Sequence, residues 1–232
     1  MAISAMQPMA SPSDPPLIKD HDGILVARDD HYPGGTKARY IVDLFDGTDE
    51  VVYATPAEGG AQFSLAATAA ALGKRATLFV AKRKQPHARA RQAKRLGAKV
   101  IQVTPGHLNV VQARARQYAH AKGARLAPFG VDLPGAVERI AAAAAAADVV
   151  PDELWCAAGS GVLARGLAKA WPNADRHAVQ IGRKVSQGEV AGAKIHVYPR
   201  AFKQTARRAA PFPADPHYDA KAWEMCRQRR GA

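Results

Sequence analysis

Short apolar runs alternate with longer segments of helical periodicity along most of the chain. The apolar runs are flanked by glycine, proline or charged residues, which is typical of strands buried in a parallel sheet. We predict strands at 23–28, 51–54, 76–81, 99–103, 153–157, 176–181 and 194–197, and a short strand or loop at 125–129.

Between these runs, apolar residues recur with helical spacing, and Gly73 and Gly97 end two of the segments as C-terminal helix signals. Thr36 is the predicted N-cap of the first helix. Strands that alternate with helices of this length favour an α/β fold with a largely parallel sheet. The predicted helices are 37–45, 61–72, 86–96, 109–122, 135–147, one that follows the turn at 159–161 and runs to about 170, and 219–228.

Composition excludes several classes of protein. The 232 residues contain no apolar run long enough to span a bilayer, and residues 1–16 lack the features of a signal peptide, so we expect a cytoplasmic protein. The only two cysteines, Cys156 and Cys226, are far apart, which argues against a disulfide framework or a zinc site. None of the eight histidines has metal-ligand spacing, and we predict no metal site.

Positive charge is the unusual bulk property. Lys and Arg outnumber Asp and Glu by 33 to 20, which gives a net charge of +13. The excess is concentrated at Lys82, Arg83, Lys84, Arg89, Arg91, Lys94, Arg95, Arg114, Arg116, Arg207, Arg208, Arg227, Arg229 and Arg230. Such clusters attract nucleic acid or phosphorylated substrates, although a solvated basic face gives the same composition. Our candidates for nucleic-acid contacts are Lys82, Arg83, Lys84, Arg89 and Arg91.

Three segments have residue types that can carry chemistry. Gly159-Ser160-Gly161 lies between a predicted strand and helix, where backbone N–H groups form an anion cradle. Lys37 follows the Gly34-Gly35 turn at a helix start, where the positive end of the helix dipole lowers the pKa of an amine and favours a nucleophile. Asp219 follows Tyr218 at the start of the last helix, where a carboxylate is also an ordinary cap.

Together these segments resemble the tryptophan-synthase-like (fold type II) pyridoxal-phosphate (PLP) enzymes, in the branch of aminocyclopropane-carboxylate deaminase and D-cysteine desulfhydrase. In that branch Arg/Lys-Asp-Asp leads to Gly-Gly-Asn-Lys-x-Arg, and here Arg28-Asp29-Asp30 leads to Gly34-Gly35-Thr36-Lys37-Ala38-Arg39. An alanine-rich helix ending at Leu72-Gly73, the Gly-Ser-Gly loop and Tyr218-Asp219-Ala220-Lys221, the counterpart of Tyr-Glu-Gly-Lys, follow in the same order. The resemblance covers most of residues 23–223.

The resemblance implies two small, open-twisted, mostly parallel α/β lobes with the cofactor between them, in a homodimer. We accordingly expect a flexible arm at 1–22, a PLP-binding catalytic region at 23–200 with a smaller lobe inserted at about 51–125, and a tail at 201–232 that completes the cofactor site. The resemblance also implies a Schiff base on Lys37, which then moves protons, Asp219 facing the pyridine nitrogen and Tyr218 stacking or acting as an acid or base. The implied phosphate-binding residues are Gly159, Ser160, Gly161, Val162 and Leu163.

Two departures bear on the substrate. Where the branch has a Ser-Asn pair before the alanine-rich helix, this chain has Glu58-Gly59-Gly60-Ala61-Gln62. Gln62 is then a candidate for contact with the cofactor, and Gly59, Gly60 and Ser64 for contact with the substrate. The chain is also shorter than typical members, with little sequence after the Tyr-Asp motif.

Three functions remain open. Compact chains of this kind resemble bacteriophage enzymes that elaborate amino-acid adducts on thymine bases, so the first is a lyase or decarboxylase that acts on an amino-acid-modified base of phage DNA in the host cytoplasm. The second is a deaminase or desulfhydrase of a free small amino acid. The third is a non-catalytic descendant that binds nucleic acid, which an intact Lys37 disfavours.

Overall fold

The computed structural model describes residues 11–230, which form two compact units. One comprises residues 32–133 with the described residues 11–12, and the other comprises residues 13–31 and 134–230. The strands are β1 (Leu17–His21), β2 (Ile24–Arg28), β3 (Glu50–Ala54), β4 (Arg75–Ala81), β5 (Lys99–Val103), β6 (Arg125–Leu126), β7 (Glu153–Ala158), β8 (Asp175–Gln180) and β9 (Lys194–Val197). The helices are α1 (Ala38–Ile41), α2 (Ala61–Ala71), α3 (Ala88–Arg95), α4 (Leu108–Lys122), α5 (Ala136–Ala145), α6 (Val162–Ala170) and α7 (Asp219–Arg229).

The first unit is built on a four-stranded parallel sheet in the order β5-β4-β3-β6. Every residue of β3 is buried, as expected of a central strand covered on both faces. Val52 and Phe79 on the sheet pack against Val111 and Ala115 of α4 in the core of this unit. The compact unit is wider than the lobe expected at about 51–125, because it also includes α1 and the turn before it.

A buried carboxylate ties the first strands of this sheet to α4. Glu50 accepts hydrogen bonds from the Thr77 hydroxyl at 2.6 Å and the Tyr118 hydroxyl at 3.0 Å. Burial opposes ionisation, but these two bonds and the charge of Arg75 outweigh it and lower the pKa of Glu50. Glu50 is therefore an ionised, hydrogen-bonded part of the core.

The second unit contains a three-stranded parallel sheet, β7-β8-β9, and an antiparallel hairpin of β1 and β2. Helices α5 and α6 cross closely at Gly166, where a Cβ would overlap the side chain of Ile140. Helix α7 packs on β7 and β8, with Ala222 and Met225 in a cluster that includes Val179.

An ion pair and a hydrogen bond join α7 to the hairpin within this unit. Arg227 on α7 donates to the Asp22 carboxylate at 2.6 Å, and Arg230 donates to the carbonyl of Gly23 at 2.9 Å. Asp22 and Gly23 form the turn of the hairpin, both with left-handed backbone angles. The first hairpin is thus held by the last helix.

Several local expectations need correction. Leu17–His21, assigned to the flexible arm, forms β1, whereas residues 1–10 of that arm lie outside the described residues. Strand β2 is half-exposed in a hairpin rather than buried. The predicted helix 37–45 is the single turn α1 followed by a 3-10 turn, Val42–Phe45, and its N-cap is Lys37 rather than Thr36.

Within residues 11–230, each helix is too short or too polar to cross a bilayer.

Candidate functional site

Two glycines position the backbone of Lys37. Gly34 and Gly35 have φ of +90° and +69°, in the left-handed region that favours glycine. A Cβ at Gly34 would lie 2.8 Å from Cβ of Ala38 and 3.3 Å from the carbonyl oxygen of Ser64 on α2. Only glycine therefore lets this turn rest directly on α2. Lys37 follows as the half-buried N-cap residue of α1.

Arg28 and Arg39, the two arginines that flank the Gly34-Gly35 turn, make structural contacts. Arg39 is buried, lies 4.4 Å from the ring centroid of Tyr32 and donates to the carbonyl of Pro12 at 3.0 Å. Arg28 makes a two-pronged ion pair with Asp30, with both N···O distances 2.8 Å. The hydrogen bonds from Arg28 lower the pKa of the Asp30 carboxyl. These pairs fix the chain on either side of the Gly-Gly turn.

Gln62 organises the loop before α2. It is fully buried, and its Nε2 donates to the carbonyls of Pro56, Ala57 and Gly59 at 3.0, 2.9 and 3.3 Å. A trans peptide points its N–H opposite to the preceding carbonyl, so the loop directs several N–H groups away from Gln62. Its Oε1 is buried without a hydrogen-bond partner among the described residues. The sequence pointed to Gln62 as a ligand contact, but its loop-forming role gave no signal in the sequence.

The candidate substrate residues lie on the same loop and helix. A Cβ at Gly59 would overlap the Thr55 hydroxyl, so this position requires glycine. Gly60 is the N-cap residue of α2, with no side-chain cap, and the Arg89 guanidinium is 3.5 Å from where its Cβ would stand. Ser64 is buried one turn into α2. The structure therefore brings Gly59, Gly60 and Ser64 together at the start of one helix.

The glycine loop links β7 to α6. Gly161, the N-cap residue of α6, has φ of +81° and no side-chain cap. A Cβ there would overlap the carbonyl oxygen of Glu189. Glu189 is held in turn by Arg183 at 2.5 Å and by Ser186, and these hydrogen bonds lower its pKa to about 2. The sequence did not predict that the segment around Glu189 packs against the glycine loop. A glycine indicates that another group can approach its backbone closely, but it does not indicate which group.

Tyr218 and Asp219 lie beside this loop. Cε1 of Tyr218 is 3.5 Å from the position that a Cβ of Gly159 would take. Asp219 is exposed on the first turn of α7. Burial raises the pKa of the Cys156 thiol on β7 to about 12, and the charge of Asp219 adds to the effect. The structure thus places the Tyr218-Asp219 motif beside the glycine loop.

The candidate nucleic-acid residues lie after β4 and on α3. Lys82, Lys84 and Arg91 are exposed. Arg83 pairs with Glu58 at 3.0 Å. Burial opposes ionisation of Glu58, but hydrogen bonds from its own backbone and Arg83 lower its pKa. The one carboxylate of the loop is therefore neutralised locally.

Between residues 11 and 230, no three His, Cys, Asp or Glu side chains group as metal ligands.

Comparison with known proteins shows which fold this is. No protein-family model and no curated protein matches the sequence. An ACC deaminase homologue matches with a TM-score of 0.71 over 89% of this chain and 80% of its own, at 18% identity. Threonine deaminase isoform 2 of Solanum lycopersicum matches with a TM-score of 0.56 over 75% of this chain and 51% of its own, at 17% identity.

A third match is diaminopropionate ammonia lyase from Escherichia coli in complex with an aminoacrylate-PLP azomethine reaction intermediate. Its TM-score is 0.54 over 75% of this chain and 55% of its own, at 17% identity. This chain therefore spans about half the length of the second and third proteins. The likeness confirms the fold class predicted from the sequence: the chain has the α/β, fold type II architecture of these deaminases and lyases.

Proposed function

We propose that the chain is a PLP-dependent enzyme, of lyase or decarboxylase type, that acts at the α-carbon of an amino-acid moiety. The observation that carries the proposal is the grouping of the glycine loop with Tyr218 and Asp219 at the carboxyl end of β7. Ligands of open α/β sheets bind at the carboxyl ends of parallel strands. A protein of the same fold has been solved with a PLP-bound reaction intermediate.

The glycine loop fits a phosphate group. Helix α6 has nine residues and begins at Gly161 without a side-chain cap, so its first N–H groups suit an anion. Gly159 presents bare backbone beside the Tyr218 ring, in space that a side chain would fill. Ser160 adds a hydroxyl between the two glycines. These features support Gly159, Ser160, Gly161, Val162 and Leu163 as the phosphate site.

Each reactive residue then has a role. When bound, PLP accepts the electron pair left at the substrate's α-carbon. Lys37 holds the cofactor through its Nζ and later moves the proton at the α-carbon. Asp219 would hold the pyridine nitrogen of the cofactor and keep it protonated, and the Tyr218 hydroxyl would be the second acid or base. The buried Oε1 of Gln62 supplies an acceptor for a donor on the cofactor or substrate.

The loop before α2 supplies the substrate site in this proposal. Gly59 and Gly60 replace the usual Ser-Asn pair with bare backbone, and Ser64 adds a hydroxyl. The N–H groups of Ala57 and Gly60, on the peptides whose Pro56 and Gly59 carbonyls accept from Gln62, suit a carboxylate.

We further propose that the amino-acid moiety is attached to a modified base of phage DNA. Between Glu58 and Asp132 the chain has 14 Lys and Arg and neither Asp nor Glu. The exposed Lys82, Lys84 and Arg91 of this acid-free segment form the DNA contact, together with Arg83 and Arg89. The fold is equally that of enzymes named for free amino acids, so deamination or desulfhydration of a free amino acid is the second candidate. In either case we propose a homodimer.

Cofactor binding is the first test. Purified protein incubated with PLP is expected to acquire a visible absorbance band, and borohydride reduction should attach the cofactor to the peptide that contains Lys37. Lys37→Ala should abolish both signals, whereas Lys169→Ala, a surface lysine on α6, should keep them. Wild-type protein that stays colourless with excess PLP would overturn the proposal.

The substrate is tested separately with the cofactor-loaded protein. DNA that contains amino-acid-modified bases is incubated with it, digested to nucleosides and analysed by mass spectrometry. A mass change that depends on Lys37 supports the DNA substrate. Turnover of free cysteine, serine or a cyclopropane amino acid without any change in DNA favours the second candidate.

A further inference from the structure

Lys221 is a buried cation that the roles above do not use. Its side chain lies one turn into α7 and is 1% exposed. Its Nζ donates to the carbonyls of Ala201 and Phe202, both at 3.3 Å, and lies 5.1 Å from the ring centroid of Tyr198. Burial lowers the pKa of Lys221, with Arg200 adding to the effect and Asp215 opposing it.

Such an arrangement is costly, because an ammonium group loses its hydration and gains two neutral carbonyl acceptors and the rings of Tyr198 and Phe202 in exchange. An apolar side chain would fill the same space at lower cost. The two carbonyls belong to the irregular segment between β9 and α7, which has no sheet ladder to fix it. Lys221 therefore holds this segment at two adjacent residues, Ala201 and Phe202.

Phe202 connects that anchor to the site. Its carbonyl also lies 3.1 Å from Nδ1 of His217, so two side chains hold the same oxygen. Its ring packs edge-on against Tyr218, with centroids 5.5 Å apart and planes at 79°. At the other end of this series of contacts is Gly159: Cε1 of Tyr218 lies 3.5 Å from the position that a Cβ of Gly159 would take.

We propose that Lys221 is a positioning residue, which holds the Tyr218 ring against the glycine loop through Phe202. The contacts run from Lys221 to Phe202, from Phe202 to Tyr218 and from Tyr218 to Gly159, all within one compact unit. The identity of the ligand at the glycine loop rests on the proposed function. The series of contacts from Lys221 to the loop does not depend on it. The tests are therefore chosen so that the two can fail separately.

The first test uses the protein without cofactor. Lys221→Met keeps the length of the side chain and removes its charge, and Lys203→Met changes an exposed lysine of the same segment. Amide hydrogen exchange is measured by mass spectrometry. In Lys221→Met, residues 159–163 and 215–220 should exchange faster, while β8 and the Lys203→Met protein stay like the wild type.

Faster exchange confined to residues 199–206 would overturn the proposal, because Lys221 would then hold only its own segment. If Lys221→Met does not fold, the comparison is made with Phe202→Leu, which keeps the cation and removes the ring contact. Phe202→Leu should likewise speed exchange at 159–163, and unchanged exchange there would reject the link.

The second test measures coupling in PLP binding. Lys221→Met is expected to weaken PLP binding about tenfold, and Lys221→Arg to restore most of it. Added to Tyr218→Leu, the Lys221 substitution should cause little further loss, since residues that act through one another are not additive. Additive losses would contradict the proposal. Wild-type protein that does not bind PLP would refute the proposed function, and hydrogen exchange would still decide the role of Lys221.

Discussion

The ring of Tyr218 lies against the backbone of Gly159, with Cε1 3.5 Å from the place where a Cβ would stand. This contact joins the strand–loop–helix corner of β7 and α6 to the start of the last helix. A phosphate-sized anion at the corner would therefore meet backbone N–H groups and an aromatic ring.

Filling the space at Gly159 should affect ligand binding more than stability. The new methyl group of Gly159→Ala would make ordinary van der Waals contact with Tyr218, and the backbone angle is not left-handed. We expect the free energy of unfolding to change by less than about 1 kcal/mol and PLP affinity to fall at least about tenfold, as measured by titration. Gly188→Ala, whose Cβ would meet nothing within 4 Å, is the control. Unchanged affinity would show that the phosphate lies elsewhere.

Gly161→Ala should instead destabilise the fold. The residue would carry a side chain in the left-handed region, which costs about 1–2 kcal/mol. Overlap with the Glu189 carbonyl should add about 1–3 kcal/mol. Gly192→Ala has a similar φ of +75° in open space and should show the backbone cost alone. Urea unfolding of both variants gives the difference, and equal losses would mean that the loop around Glu189 yields without cost.

Gln62→Leu should loosen the loop before α2. The carbonyls of Ala57 and Gly59 would lose the donor that Gln62 supplies, whereas the Pro56 carbonyl keeps the Gly59 N–H and the Thr55 hydroxyl. Each buried unsatisfied group costs about 1–3 kcal/mol, partly recovered by relaxation. We expect a loss of about 2–4 kcal/mol in urea unfolding and faster hydrogen exchange at residues 56–60. The exposed Gln117→Leu on α4 is the control. A stable Gln62→Leu protein with an unchanged loop would show that the carbonyls find other donors.

A histidine pair in the second unit should make stability fall with acid. Nδ1 of His177 is 2.8 Å from Nε2 of His196, with Trp155 stacked on His177. Burial lowers the pKa of His196, and His177, Arg229 and Lys194 add to the effect, while Asp175 opposes it.

Below about pH 6.5 His196 binds a proton more readily in the unfolded chain than in the folded chain. Its contribution to the free energy of unfolding is therefore present above about pH 6.5 and is lost as the pH falls below that value. Urea midpoints at about pH 5 and about pH 8 should differ less in His196→Gln than in the wild type. His120→Gln, on the exposed face of α4, should retain the wild-type difference. An unchanged pH dependence in His196→Gln would place its origin in other groups.

Charge reversal should weaken DNA binding and its salt dependence together. The triple variant Lys82→Glu, Lys84→Glu and Arg91→Glu changes three exposed cations of the acid-free segment. If each contacts a phosphate, the slope of log affinity against log salt should become shallower by about 0.9 per contact. A control with the same change of net charge reverses Lys169, Lys184 and Lys203, which lie outside that segment. Equal losses in the two variants would indicate a general charge effect.

Buried parallel strands leave a continuous apolar signal in the sequence, and β3 and β4 start within one residue of the predicted positions. Strands β5 and β9 are more exposed but also start where they were predicted. The hairpin of β1 and β2 was misread, because a half-exposed two-stranded ribbon has too little apolar surface to give a clear pattern.

The site was predictable only as far as its motifs were. The glycine loop and the Tyr218-Asp219 pair were identified from sequence, and the structure brings them together. Lys37 was predicted to lie at the start of a longer helix, but α1 is a single turn, so the helix dipole there is weaker than expected. Three features of the site were not predictable: the contact of Glu189 with Gly161, the hydrogen bonds from Gln62 to its loop, and the role of Lys221. Each depends on contacts that no local sequence pattern reveals.

The pairing of Arg227 with Asp22 has a consequence for synthesis on the ribosome. The hairpin is synthesised before the helix that holds its turn, which follows 205 residues later. Closing a contact of such sequence separation is slow, and it requires both segments to have left the ribosome. The nascent hairpin therefore stays without this anchor while the residues between the two segments are made. Termination of synthesis before Arg227 would leave the hairpin without its ion pair.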